Sequence, residues 1–289
     1  MSGINDKTAI ETLKIAESLK SQRKWSEAEK TFVLALKKAE SEFGKSQAKT
    51  GAFLNALATY YKEQKMLDQA EGYYLRALEI ARTHLGPDHF NTGVCQFNLG
   101  DLYIQQEDWE KSSRYLEKAL EIGKKTCEPT DPELLTRMRL LAKVYKNLDE
   151  QEKSLSILQE SLVFAKKNCG EAHIETGKIQ FDIADVHLTK GEFSKAKDLL
   201  SEYIKNIEMN YGTESSTSIQ PLALLGKVFI NLNELEEAEK VLKEAEKLAK
   251  KKFGEKYPET RDIMIELAKV RKKLKESGKK GNKKLFGLF

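Results

Sequence analysis

The sequence predicts an all-α chain, a solenoid of stacked antiparallel helix hairpins closed by a C-terminal capping helix. Three observations predict it. First, the markers of residues 54–86 return at a fixed interval of 42 residues. Ala58 recurs as Ala16, Gly100, Ala142, Ala184, Gly226 and Ala268, and Ala70 recurs as Ala28, Ser112, Ser154, Ala196 and Ala238. Gly86 recurs as Gly44, Gly170, Gly212 and Gly254, with Glu128 the one departure. Second, within a unit the markers step by three and four, so residues 54, 57, 58 and 61 share one stripe of a first helix, and 70, 74 and 77 one stripe of a second. Third, no insertion breaks the interval. One hairpin cannot bury its own apolar face, so a constant period of this size implies stacking.

The elements follow in order. Residues 1–7 are a polar lead. Repeat one, 8–49, sets Ile15, Ala16 and Leu19 against Trp25, Ala28, Phe32 and Ala35. Repeat two sets Leu57, Ala58 and Tyr61 against Ala70, Tyr74 and Ala77. Repeat three pairs Leu99, Gly100 and Tyr103 with Trp109, Ser112, Leu116 and Ala119. Repeat four pairs Leu141, Ala142 and Tyr145 with Ser154, Leu158 and Ser161. Repeat five uses Ile183, Ala184 and His187 with Phe193, Ala196, Leu200 and Tyr203. Repeat six uses Leu225, Gly226 and Phe229 with Leu235, Ala238, Leu242 and Ala245. A seventh first-type helix keeps Leu267 and Ala268 but carries Arg271 where the others have a large residue, the pattern of a cap with a wet outer face. Small residues at Ala58 and Ala70 let the two backbones cross closely, and the glycine after each second helix suits a left-handed C-cap. Asp131-Pro132 reads as an N-cap acid and a first-turn proline. The expected organisation is therefore a lead over 1–7, a single solenoid of six repeats and a cap over 8–277, and a tail over 278–289. The tail is glycine-broken and is expected to be disordered, with the cap helix ending near Ser277.

The composition is 40% hydrophobic and 33% charged, with five prolines, and no stretch has the length and apolarity of a membrane span. The N-terminal residues lack the apolar core of a signal peptide. The cysteines are Cys95, Cys127 and Cys169. The last two hold equivalent places one repeat apart, beyond the ~7 Å reach of a disulfide. Free thiols favour a cytoplasmic setting. The net charge of +4 hides an asymmetry. From Arg271 onward there are eight basic residues and one acid, giving +7, while the rest of the chain is −3.

Motifs for catalysis are missing: no G-x-S-x-G, P-loop, H-E-x-x-H or C-x-x-C is present, so no enzyme, cofactor or metal site is expected. His89 and His173 share a loop position before a first-type helix and read as backbone caps. His187 stands where Tyr61, Tyr103 and Tyr145 stand, and reads as a core residue. Cys169 and His173 are separated by a helix-breaking glycine.

These markers resemble the tetratricopeptide repeat, and the 42-residue spacing with the ending ALEIARTHLGPDH resembles the repeats of kinesin light chains. The resemblance implies a right-handed superhelix whose first-type helices (helix A) line a concave groove. The groove-facing positions are Leu13/Glu17, Asn55/Thr59, Phe97/Asp101, Arg139/Lys143, Phe181/Asp185, Ala223/Lys227 and Ile265/Lys269, followed one turn on by Lys20, Lys62, Ile104, Lys146, Leu188, Ile230 and Lys272. Asn55 and Asn98 match asparagines that in kinesin light chains hydrogen-bond the backbone of an acidic, aromatic peptide. Arg139, Lys143 and Lys146 form a basic rung, with Asp101, Asp182 and Asp185 available as an internal ladder. The positions that clamp chaperone tails in another branch of the family are occupied by Leu13 and Glu17, which disfavours that ligand.

The expected function is a non-catalytic adaptor or scaffold that binds a protein or peptide partner with acidic and aromatic residues. The alternative is recruitment to an anionic surface through the tail, by Lys279, Lys280, Lys283, Lys284, Phe286 and Phe289, as a weak membrane contact. The solenoid's net charge of −3 and its lack of a basic, aromatic-studded face argue against nucleic acid as principal ligand.

Overall fold

The computed structural model describes residues 8–126 and 131–286, with side chains through residue 277. The chain divides into two compact units, Met1–Glu150 and Gln151–Phe289. The first holds α1 (Ala9–Ser21), α2 (Trp25–Phe43), α3 (Ala48–Glu63), α4 (Leu67–Leu85), α5 (Phe90–Gln105), α6 (Trp109–Thr126) and α7 (Pro132–Asn147). The second holds α8 (Gln151–Cys169), α9 (Ile174–Thr189), α10 (Phe193–Tyr211), α11 (Ile219–Asn231), α12 (Leu235–Phe253) and α13 (Pro258–Phe286). Among the described residues there is no strand, and within each unit every helix packs on its neighbours in sequence. The all-α repeat architecture is as expected, and the marker residues form the core: Ala58, Ala70, Tyr74 and Ala77 are wholly buried.

The turn inside each hairpin is built by a device that the residue types conceal. Arg23, Lys65, Glu107, Asp149, Gly191 and Asn233, each 42 residues from the next, all have φ between 58° and 76°. The N–H of the following residue, from Lys24 to Glu234, reaches back five residues to a carbonyl of the first helix at 2.9–3.0 Å. This is a Schellman motif repeated six times, and only Gly191, Asn233 and, more weakly, Asp149 belong to the types that suit it.

The turn between hairpins uses the predicted glycines in a stricter way than a left-handed cap. Gly44, Gly86, Gly212 and Gly254 combine φ of 83° to 99° with ψ of 149° to 165°. That region is closed to side chains, so the requirement is for glycine alone. The freed carbonyl is taken up by the next helix: Thr50, Thr92 and Thr176 donate their hydroxyls to Gly44, Gly86 and Gly170 at 2.6–2.7 Å. Where Glu128 replaces the glycine, Leu134 replaces the threonine, so the two halves of this clamp are lost together. There α7 opens instead on Asp131, whose Oδ1 accepts from the Glu133 N–H at 2.8 Å ahead of Pro132. His89 and His173 cap α5 and α9 as expected, each Nδ1 accepting a backbone N–H at 3.1–3.2 Å. Cys95 is a buried free thiol and Cys169 an exposed one, while Cys127 lies outside the described residues.

The end of the chain departs from expectation. The backbone of α13 continues past Ser277 to Phe286, through Gly278 and Gly281. A helical glycine costs only about 1 kcal/mol relative to alanine, and the surrounding lysines and leucine are good helix formers.

Candidate partner-binding face

The expected groove positions lie on the A helices, α3, α5 and α7 in the first unit and α9, α11 and α13 in the second. In the first unit the structure pairs many of them with each other. Thr59 donates to the Asn55 carbonyl at 2.9 Å and lies 2.9 Å from the Tyr74 hydroxyl. Burial pushes the Tyr74 phenol up to about 12. Lys62 and Asp101 form an ion pair between α3 and α5. The Asn55 side-chain N–H donates to the Cys95 sulfur at 3.2 Å, and burial raises that thiol. Its Oδ1 is buried without a protein partner. A recess of about 270 Å³ between α3, α4 and α5 lies beside it, lined by Gly51, Ala81, Val94 and Cys95 among others. Asn98 is half-buried. Arg139 and Lys146 are half-buried and both engaged by neighbours, whereas Lys143 is exposed.

A residue that sequence reasoning missed underlies Phe97. Arg137 is only 2% exposed, with its guanidinium 5.7 Å from the Phe97 ring centre and 5.8 Å from that of Phe90. It donates to the Ala119 carbonyl and to Glu133, both at 3.3 Å. Stacking on two aromatic rings and a charge-assisted hydrogen bond offset part of the cost of burying the cation. The signal was available in the alignment of repeats. Arg137 occupies the place of Phe53, Cys95 and Ile179, and Gly123 stands where Ala39, Ala81 and Ala165 stand. A Cβ at Gly123 would come within 2.8 Å of the Arg137 Nη1.

The stripe carrying Tyr61, Tyr103 and Tyr145 also has a polar role. Their hydroxyls donate to Glu29, Glu71 and Glu117 on neighbouring B helices at 3.1, 2.7 and 2.8 Å. Burial and the carboxylates raise all three phenols, Tyr61 to about 12. His187 is buried with Nδ1 2.8 Å from the Glu192 carboxylate. Arg271, at the same place in α13, pairs with Glu239 at 2.8 Å.

In the second unit the expected positions come together. Phe181 and Asp185 of α9, Ala223 and Lys227 of α11, and Ile265 and Lys269 of α13 line one open depression of about 560 Å³. Its floor is apolar, with Ile265 52% exposed, and its rim mixes Lys227 and Lys269 with Asp185, Glu259, Asp262 and Glu266. Phe181, Leu188, Ala223 and Ile230 are partly buried on this face and pack against the core of the unit. The side chains of Lys279, Lys280, Lys283, Lys284 and Phe286 lie beyond the described ones, and Phe289 lies outside the described residues. Among the described residues no helix is long and apolar enough to cross a membrane, and no group of three metal-ligating side chains forms.

Tetratricopeptide repeat models match residues 8–83, 50–125 and 96–162, and a further one matches 219–252. The chain belongs to the tetratricopeptide repeat family. Solved structures agree on the fold. The nearly identical TPR-like repeats of a Podosopora anserina protein described as a kinesin light chain superpose with a TM-score of 0.62 at 18% identity, over 68% of this chain and 93% of that one. A Pyrococcus horikoshii STAND protein with a tetratricopeptide repeat sensor gives 0.70 at 21% identity, over 90% of this chain and 38% of its own. A Rap protein complexed with competence and sporulation factor gives 0.53 at 16% identity, over 90% and 74%. No curated protein matches the chain. Tetratricopeptide hairpins therefore account for the 42-residue period, and the depression is the A-helix face of three successive repeats.

Proposed function

We propose that this tetratricopeptide repeat protein is a non-catalytic scaffold that holds a peptide segment of a partner protein against its A-helix face. The observation that carries the reading is the depression over α9, α11 and α13. Equivalent positions on three successive repeats supply an apolar floor and a charged rim, at the ~10 Å spacing of neighbouring helices. Such a surface suits a segment with an apolar or aromatic anchor flanked by charges. Lys227 gives an acidic group a counter-charge, while Lys269 is already paired with Glu266 at 2.8 Å, and Lys143 offers a further exposed cation in the first unit. The Rap structure supports the reading in kind, since that protein, similar in fold, is complexed with competence and sporulation factor. The chain has the character of an adaptor, and a cytoplasmic one by its free thiols.

Crosslinked partners should be recovered by the intact chain and lost from Lys227→Glu/Ile265→Glu, with helicity unchanged because both positions are exposed. Recovery should also fall as salt screens the rim. Equal recovery by the variant would refute the reading. Loss confined to Arg139→Glu/Lys143→Glu would move the site to the first unit.

A second reading concerns the tail. The helical backbone to Phe286 makes the +7 stretch a basic helix, suited to weak, salt-sensitive contact with an anionic surface. Removing residues 278–289 and measuring sedimentation with phosphatidylserine vesicles tests it. Binding that survives truncation rules it out.

A further inference from the structure

The rim of the depression over α9, α11 and α13 is unevenly charged. Along α13, Asp262, Ile265 and Lys269 step by three and four and share one face, with Glu259 a turn before them. Lys269 is taken up by Glu266 at 2.8 Å, and Asp185 is engaged by a neighbour. Glu259, Asp262 and Lys227 have no ion-pair partner among the described residues. Glu259 has a local reason to be there, since the helix dipole favours an acid in the first turn of α13. Asp262 is exposed one turn further in, where that reason has faded.

These charges stand at opposite edges of the floor. In the 42-residue register Ile265 aligns with Ala223 and Phe181, Asp262 with Gln220, and Lys227 with Lys269. The carboxylates therefore edge the floor toward the helix starts and Lys227 toward the helix ends, with the 52% exposed Ile265 between them. From Asp262 to Lys227 is two helical turns along the axis and one helix across, about 14 Å, the reach of about four extended residues. The chain's own basic tail is badly placed to lie there. Helical backbone carries Phe286 about 30 Å along the axis from Ile265.

We propose that the depression takes an extended segment of a partner protein in which a large apolar residue lies between a basic and an acidic one, the two charges about four positions apart. The basic group meets Asp262 and Glu259, the apolar group seats on Ile265, Ala223 and Phe181, and the acid meets Lys227. The assignment rests on the A-helix face being the binding face, and adds the sign and order of the charges: two carboxylates against one ammonium make the basic residue the stronger requirement.

Random peptides of about twelve residues displayed on phage, selected on the full chain and counter-selected on Ile265→Gln, provide the probe. Enriched peptides should share a Lys or Arg and an Asp or Glu about four positions apart, with a large apolar residue between. In fluorescence anisotropy with one enriched peptide, Asp262→Asn and Lys227→Met should each weaken binding at least about ten-fold, a gap that narrows in high salt. Helicity should be unchanged, because both positions are exposed. Asp262→Lys should regain affinity for the same peptide once its basic residue is made Glu. Peptides that depend on Ile265 but lack the basic residue, or that bind Asp262→Asn as well as the parent, overturn this assignment and leave the binding face in place. If no selected peptide depends on Ile265, both fall. The proposal is equally overturned if removing residues 278–289 raises the peptide's affinity, or if the free chain is a dimer that Ile265→Gln dissolves. The tail or a second copy would then be the occupant.

Discussion

At the scale of single residues, the repeats are alike in pattern and differ in who gives way to whom. Tyr203 stands where Ala77, Ala119 and Ala245 stand, and it fits because Gly177 faces it. A Cβ at Gly177 would meet the Tyr203 ring at 2.1 Å. Gly177→Ala should therefore cost about 3 kcal/mol by overpacking. Adding Tyr203→Ala should cost less than the two single changes together, with a coupling of about 1–3 kcal/mol in urea melts. Strict additivity would show that the contact is relaxed at no cost. The tyrosine stripe gives a second expectation. Tyr61 and Tyr74 are raised to about 12, against about 10 in an unfolded chain. A raised phenol keeps its proton longer when folded, so the unfolded state holds fewer protons above pH 10. Stability contributed by these groups is thus complete below pH 10 and lost as pH rises through 12. The urea midpoint should fall over that window, with Tyr61→Phe shallower than the parent. A midpoint that stays level to pH 11.5 would contradict the packing described here.

At the scale of elements, the contrast between what the sequence displays and what it hides has a physical basis. Hydrophobic periodicity and small-residue spacing report burial, and burial is read from side-chain type, so the helices of the described residues and their crossings within each unit were legible. The Schellman turn at Arg23, Lys65, Glu107 and Asp149 was not, because backbone hydrogen bonds make it and the side chains only tolerate it. Arg137 was hidden for another reason: an arginine ordinarily marks a surface, and only its alignment with Phe53 and Ile179 betrays it. On the candidate face, spacing puts Phe181, Lys227 and Ile265 at equivalent positions of three A helices, and it is the resemblance to the tetratricopeptide repeat that implies a groove there. The pairing of Lys62 with Asp101 and of Asn55 with Cys95 depends on side-chain directions that spacing does not encode. The turn yields its own test. Glu107 is exposed with φ of 58°, a conformation costing a non-glycine residue about 1 kcal/mol or more. Glu107→Gly should raise stability by about 0.5–1 kcal/mol, the relief being partly offset by greater freedom of the unfolded chain. A lowered urea midpoint would mean that the side chain, and not the backbone, holds the turn.

At the scale of the whole molecule, stability in a repeat array is carried by contacts between neighbours, and no residue depends on one distant in sequence. The turn clamp makes that general property uneven along this chain. Thr50, Thr92 and Thr176 each close on the glycine six residues earlier, whereas Leu134 offers no hydroxyl. The array can therefore be spliced at some seams and not at others. Excising residues 50–91 joins Gly44 to Thr92 at the native six-residue spacing and remakes the clamp from parts of two different hairpins. Excising residues 92–133 removes the same length but sets Gly86 against Leu134, leaving a carbonyl without its donor. The first shortened chain should melt close to the parent once the loss of one hairpin is allowed for, and the second about 1 kcal/mol lower. A lineage that gained or lost hairpins by recombination would have found the first seam open and the second shut.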